Sequence, residues 1–130
     1  MPTRQEVMAV IRMNKMNATK QALVDVGVSA FTARKVVGRG QGRVDYRLLQ
    51  AAEEGHEEAI SMLAPGPVLV PKRLLTVVVP DPQVPLVVKT IIDVNQNGHQ
   101  GDGKVFVLPV YEAVRIRTGE RDDAALDEIV

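Results

Sequence analysis

Gly98, Gly101 and Gly103 fall within six residues in the stretch GHQGDGKVFV, with Asp102 between the last two and Lys104 at the exit. Glycine has no Cβ, so such a run can turn successive backbone N–H groups toward one centre. A concave set of amides binds phosphate oxygens, and a lysine at its rim supplies charge. The bland alternative is a helix-to-strand turn with solvated charges. The spacing matches neither the dinucleotide fingerprint nor the P-loop.

Arg115 and Arg117 alternate in VRIRTGERDD, so an extended chain would point both to one face. Paired guanidiniums suit phosphate or carboxylate through forked hydrogen bonds. The alternative is a charged edge balanced by Glu120, Asp122 and Asp123. With the glycine loop expected nearby, the pair reads as part of an anion site. GRGQGR sets Gly38, Gly40 and Gly42 after a strand-like run, as a phosphate cradle or as a hinge. His56 lies among Glu53, Glu54, Glu57 and Glu58, a pattern that suits a solvated helical face better than a metal site. His99 falls on the glycine loop. No Ser/His/Asp arrangement and no carboxylate pair suited to acid–base work stands out. The expectation is a binding protein, not an enzyme.

The elements that must position these residues follow from periodicity. Residues 7–11 form a short apolar run that reads as a strand. Thr19, Ala22, Leu23 and Val26 have helical spacing, with Asn14 as the expected N-cap and Gly27 as the stop. Residues 31–37 read as a second strand and 73–80 as a third. Asp81 is the expected cap of a second helix beginning at Pro82, whose apolar face is Val84, Val87, Val88, Ile91 and Ile92. The run after Gly103 is a fourth strand. The order is β-α-β, a long insertion, then β-α-β. This is the α/β (α+β) split βαβ or ferredoxin-like layout, βαββαβ, with two helices on one face of a single sheet. The sheet face left bare calls for partner subunits. The connection between strands two and three is far longer than usual in a small domain, and such loops are commonly functional. Apolar spacing at Leu49, Ala52, Ala59, Ile60 and Leu63 predicts a helix there, broken at Gly55.

Bulk composition bounds the rest. With 130 residues, 45% of them apolar, one domain with a core of its own is expected. Aromatics are 3%, so the core must be aliphatic. Sixteen basic residues balance sixteen acidic ones, which argues against nucleic-acid binding. The absence of cysteine excludes disulfides and thiol chemistry. No apolar run approaches the ~20 residues of a membrane span, and no secretory h-region is visible, so a cytoplasmic protein without membrane insertion is expected.

Several separated segments, in order, resemble the PII nitrogen-regulatory family. AVIRMNKMNATKQALVDVGVSAFTARKVVGRG is similar to its first β-α-β unit and PKRLLTVVVPD to its third strand. GDGKVFVLPVYEAVRIRTGERDDAAL resembles its B-loop, last core strand and C-loop. Nearly everything except residues 43–69 is covered. The resemblance implies one domain over 1–130, with a T-loop at about 38–71, a B-loop at about 97–104 and a C-loop at about 115–124. It implies a homotrimer with nucleotide sites for ATP or ADP in the clefts between subunits. Gly101, Asp102 and Gly103 would present backbone to phosphate, and Lys104 would neutralise it. Arg115 and Arg117 would reach the phosphates from the neighbouring subunit. Thr32 and Val78 would lie near the adenine, and Gly40, Gln41 and Gly42 would complete the site. Lys72, with Gly101 and Gln41, would hold 2-oxoglutarate. The family commonly reads Gly-Arg-Gln after its second strand, with the glutamine on Mg²⁺ and 2-oxoglutarate. Here Gln41 stands one place early and Gly42 takes the matching position, so Gln41 is the candidate Mg²⁺ contact. The T-loop is longer and lacks the usual tyrosine-bearing segment. Tyr46 is not equated with the modified residue, and uridylylation is not expected.

With this T-loop, the stretches IRMNKMNATKQAL and VNQNGHQGDGKVFVLPV resemble the nitrogenase-associated PII branch. That implies a regulator, paired with a paralogue, that inhibits the nitrogenase MoFe component under ammonium sufficiency and is relieved by ATP and 2-oxoglutarate. Residues 43–69 are expected to be mobile and to carry the partner contact. A general PII regulator of an ammonium transporter and an acylphosphatase-like enzyme on the same fold are the alternatives. An RNA-binding module would need sheet aromatics that this chain lacks.

Overall fold

A computed structural model of the chain describes residues 3–39 and 69–126. Strand β1 spans Arg4–Ile11, longer than expected, and buries Val7, Ala9 and Ile11 at period two. A short 3₁₀ turn at Met13–Lys15 leads into helix α1, Met16–Asp25. Asn14 lies inside that turn and is not a cap; the turn and the helix both start without a side-chain capping bond. The far end matches expectation. Gly27 has φ of 90°, and the N–H groups of Gly27 and Val28 return to the carbonyls of Val24 and Leu23 at 3.0 and 2.9 Å. This is a Schellman stop, with buried Val28 as its apolar plug.

Strand β2, Thr32–Gly38, and strand β3, Val70–Pro80, bracket the long connection, and both run into the region expected as loop. Residues 40–68 lie outside the described residues, and with them the expected helix, His56, Tyr46 and most of the segment expected to contact a partner. A 3₁₀ turn at Asp81–Gln83 precedes helix α2, Val84–Asn95. Asp81 does not cap it. Its carboxylate accepts from Gln5 Nε2 at 3.1 Å, which ties the turn to β1. Val87 and Ile91 are buried, and Val84 and Val88 pack against the core, but Ile92 is exposed. Strand β4, Lys104–Val110, closes the sheet.

The strand order is β2-β3-β1-β4, every pair antiparallel. With two crossover helices, this is the ferredoxin-like βαββαβ fold. The core is aliphatic: Val7, Ala9, Ile11, Leu75, Val77 and Val79 from the sheet meet Leu23, Val87 and Ile91 from the helices. Asn95 Nδ2 donates to Thr19 Oγ1 at 3.0 Å and fixes how the helices meet.

Directly opposed residues share a sheet face. Register therefore sets two rows on the face away from the helices: Arg34, Leu74, Val10 and Lys104, and next to it Thr32, Thr76, Met8 and Phe106. Phe106 is 51% exposed there and Leu108, farther along β4, is 38% exposed.

Candidate anion-binding site

Three segments meet where β1 stops and β4 starts. They are Arg12 at the exit of β1, Lys72 on β3, and the glycine loop between α2 and β4. The loop is built around the Asp102 carboxylate. One oxygen, Oδ2, accepts the backbone N–H groups of Asn97, Gly98 and His99 at 2.9, 3.0 and 3.3 Å. The other, Oδ1, accepts Arg12 Nη1 at 2.6 Å. Burial by itself would raise the Asp102 pKa. The Arg12 bond and the three amides outweigh it and hold the carboxyl at about 2, against an ordinary 3.8.

Two further bonds tie the loop to the sheet. Arg12 Nη2 donates to the Gln100 carbonyl at 2.9 Å, and Lys72 Nζ donates to the Gly101 carbonyl at 2.8 Å. These approaches explain the glycines. Gly101 has φ of 93°, and a Cβ there would lie 3.1 Å from Arg12 Nη2 and 3.6 Å from Lys72 Nζ. Gly103 has φ of 117°, and its Cβ would lie 2.0 Å from the Val10 carbonyl oxygen. Lys104 opens β4 directly opposite Val10, exposed on the face away from the helices. Arg12 and Lys72 thus hold the loop against the sheet, and Lys104 follows it at the start of β4. Basic side chains beside a glycine backbone suit an anionic ligand.

Other expected site residues sit as follows. Thr32 is exposed at the start of β2, its hydroxyl against that of Thr76, and half-buried Val78 lies two residues on along the same face. Gly40, Gln41 and Gly42 lie outside the described residues. Arg115 and Arg117 are not on an extended strand. Gly119 and Asp122 have φ of 74° and 62°, and the segment turns back so that Val114 bridges Arg121. Arg115 donates to Glu120 Oε1 at 2.7 Å and to the Ala124 carbonyl at 2.6 Å, whereas Arg117 is exposed. This segment follows the far end of β4, and the glycine loop precedes its near end. Seven residues of strand, about 20 Å, separate them within one chain. The expected proximity therefore does not hold within a subunit.

Sequence reasoning missed Arg12. Its signal was weak: one arginine directly after an apolar strand, in a sequence that gave no sign of Asp102 as its partner.

Comparison with known proteins matches residues 4–120 to the family described as nitrogen regulatory protein P-II. A nitrogen fixation nifHD region GlnB-like protein 2 from Methanobacterium ivanovii is 41% identical over 127 residues, covering 94% of this chain and 98% of the relative. A nifHD1 region GlnB-like protein 2 from Methanosarcina barkeri is 44% identical, with the same two shares covered. Nitrogen regulatory protein P-II 1 of Escherichia coli is 36% identical over 122 residues, covering 94% of this chain and 99% of its own. Among solved structures, Arabidopsis thaliana PII bound to citrate superposes with a TM-score of 0.74 at 28% identity, covering all of this chain and 95% of that one. The sequence match runs across both β-α-β units and the glycine loop that joins α2 to β4, so this chain belongs to the nitrogen regulatory protein P-II family, as a GlnB-like nitrogen regulatory signalling protein.

Proposed function

We propose that the protein senses ATP or ADP, with Mg²⁺, and 2-oxoglutarate, and that it regulates nitrogen fixation by binding and inhibiting the nitrogenase MoFe component. The observation that carries the reading is the junction of Lys72, Arg12 and the glycine loop at one end of the sheet. Lys72 and Arg12 offer charge to a carboxylate, and the loop and Lys104 offer backbone and charge to phosphates. The two ligand classes would lie side by side, so each can favour the other's binding. The citrate on the Arabidopsis relative adds that a carboxylate ligand suits the fold. The nitrogen-fixation region in the names of the methanogen relatives points to nitrogenase as the target.

The assembly in this reading is a homotrimer, with a PII-like paralogue as a further partner, and Thr32, Val78, Gly40, Gln41, Gly42, Arg115 and Arg117 complete each cleft. Calorimetry should show micromolar ATP and ADP binding. Lys104→Ala and Arg117→Ala should each weaken it by about 1.5–3 kcal/mol, as for charged hydrogen bonds. A pull-down of MoFe protein should succeed without 2-oxoglutarate and fail with ATP and 2-oxoglutarate present. Retention that ignores both ligands would refute the regulatory reading.

A further inference from the structure

The glycine loop poses an energetic problem. Its glycines at 98, 101 and 103 all have positive φ, and an unsupported chain of this composition samples many other shapes. A receptor for anions that must first be ordered by its ligand binds weakly, because ordering is subtracted from the binding energy. Asp102 is also an odd choice beside an anion, since a free carboxylate there would repel phosphate.

The contacts resolve both points. We propose that Asp102 is the positioning residue of the anion site: clamped by Arg12, it holds the glycine loop in its receiving shape before any ligand arrives. Three consecutive amides converge on one oxygen, and the Asp102 N–H itself returns to the His99 carbonyl at 3.3 Å. The second oxygen is spent on Arg12, so the negative charge is neutralised inside the loop. Arg12 and Lys72 then pin the carbonyls of Gln100 and Gly101 to the ends of β1 and β3. An asparagine could not replace it. Asparagine has one acceptor oxygen and would turn an N–H₂ donor toward either Arg12 or the three amides, all of which are donors.

This role rests on the function proposed above, and the test separates the two. Amide hydrogen exchange of the unliganded protein, measured by NMR, should show protection at Asn97, Gly98 and His99. In Asp102→Asn those three amides should exchange at least tenfold faster, while amides of β1 and β3 keep wild-type rates. ATP affinity, read by calorimetry, should fall tenfold or more. Asp102→Glu keeps the charge but displaces the oxygens by one methylene, and should be intermediate in both readouts. Wild-type exchange at the three amides, or wild-type ATP affinity, in Asp102→Asn would overturn the assignment. Faster exchange across the sheet as well would make Asp102 a residue of global stability and overturn it too. If wild-type protein shows the protection but binds no ATP, the sensing function fails, and the positioning role falls with it.

Discussion

At the scale of single residues, Gly103 carries the sharpest constraint in the site. Its φ of 117° is unfavourable for any side chain, and its missing Cβ makes room for the Val10 carbonyl. Gly103→Ala should therefore lose more than about 2 kcal/mol of stability in urea unfolding, since backbone strain adds to a direct clash. Asp102 makes a second prediction, through pH. Its folded pKa lies below its unfolded one, so its contribution is complete above about pH 4 and is lost as pH falls through about 2. That contribution is on the order of 2 kcal/mol. The unfolding midpoint of wild-type protein should fall across this window, and Asp102→Asn should remove that part of the slope. Glycine spacing made the loop legible in the sequence. The inward turn of Asp102 was not legible, because its partner Arg12 stands 90 residues away and local spacing carries no sign of it.

At the scale of elements, strands and helices were readable because period two and period 3.6 are written in the apolar residues. Val7, Ala9 and Ile11 mark β1, and Val84, Val87, Val88 and Ile91 mark α2. The ends were less readable. Asn14 and Asp81 have capping chemistry, but short 3₁₀ turns supply the entry to each helix, and Asp81 is engaged by Gln5. The arginine segment misled for a related reason. Alternation implies an extended chain only where nothing turns it, and here Gly119 and Asp122 do. What holds this segment in place is Arg4, which is 7% exposed at the start of β1. Its Nη1 donates to the Tyr111 carbonyl at 3.0 Å, and Asp122 and Asp123 lie 3.4 and 3.7 Å from its guanidinium. Arg4→Met keeps the apolar stem and removes the charge. It should cost about 1.5–3 kcal/mol, the range for hydrogen bonds to charged groups. Amide exchange should accelerate over residues 111–126 while α1 and α2 stay unchanged. A uniform acceleration would mean that Arg4 supports the whole domain rather than this segment.

At the scale of the whole molecule, the two halves of the expected nucleotide site lie at opposite ends of β4, about 20 Å apart. A single chain cannot bring Lys104 and Arg117 to one ligand, so the proposed site requires a neighbour. The sheet face away from the helices offers the means. Phe106 and Leu108 stand exposed on β4, with Met8 beside Phe106, and apolar surface of this kind calls for burial. Light scattering should report about three times the 14.2 kDa chain mass. Phe106→Asp with Leu108→Asp should lower that mass and abolish ATP binding together, although neither residue belongs to the ligand set. A complementation experiment tests the shared site more directly. Lys104→Ala protein retains a sound Arg117, and Arg117→Ala protein retains a sound Lys104. Each should bind ATP poorly alone. If the two are unfolded together and refolded, random mixing should pair an intact glycine loop with an intact arginine segment in about one quarter of the clefts. Calorimetry of the mixture should then recover wild-type affinity at about that fraction of sites. Equal weakness before and after mixing would show that the two motifs never meet on one nucleotide, and the cleft between subunits would not be the site.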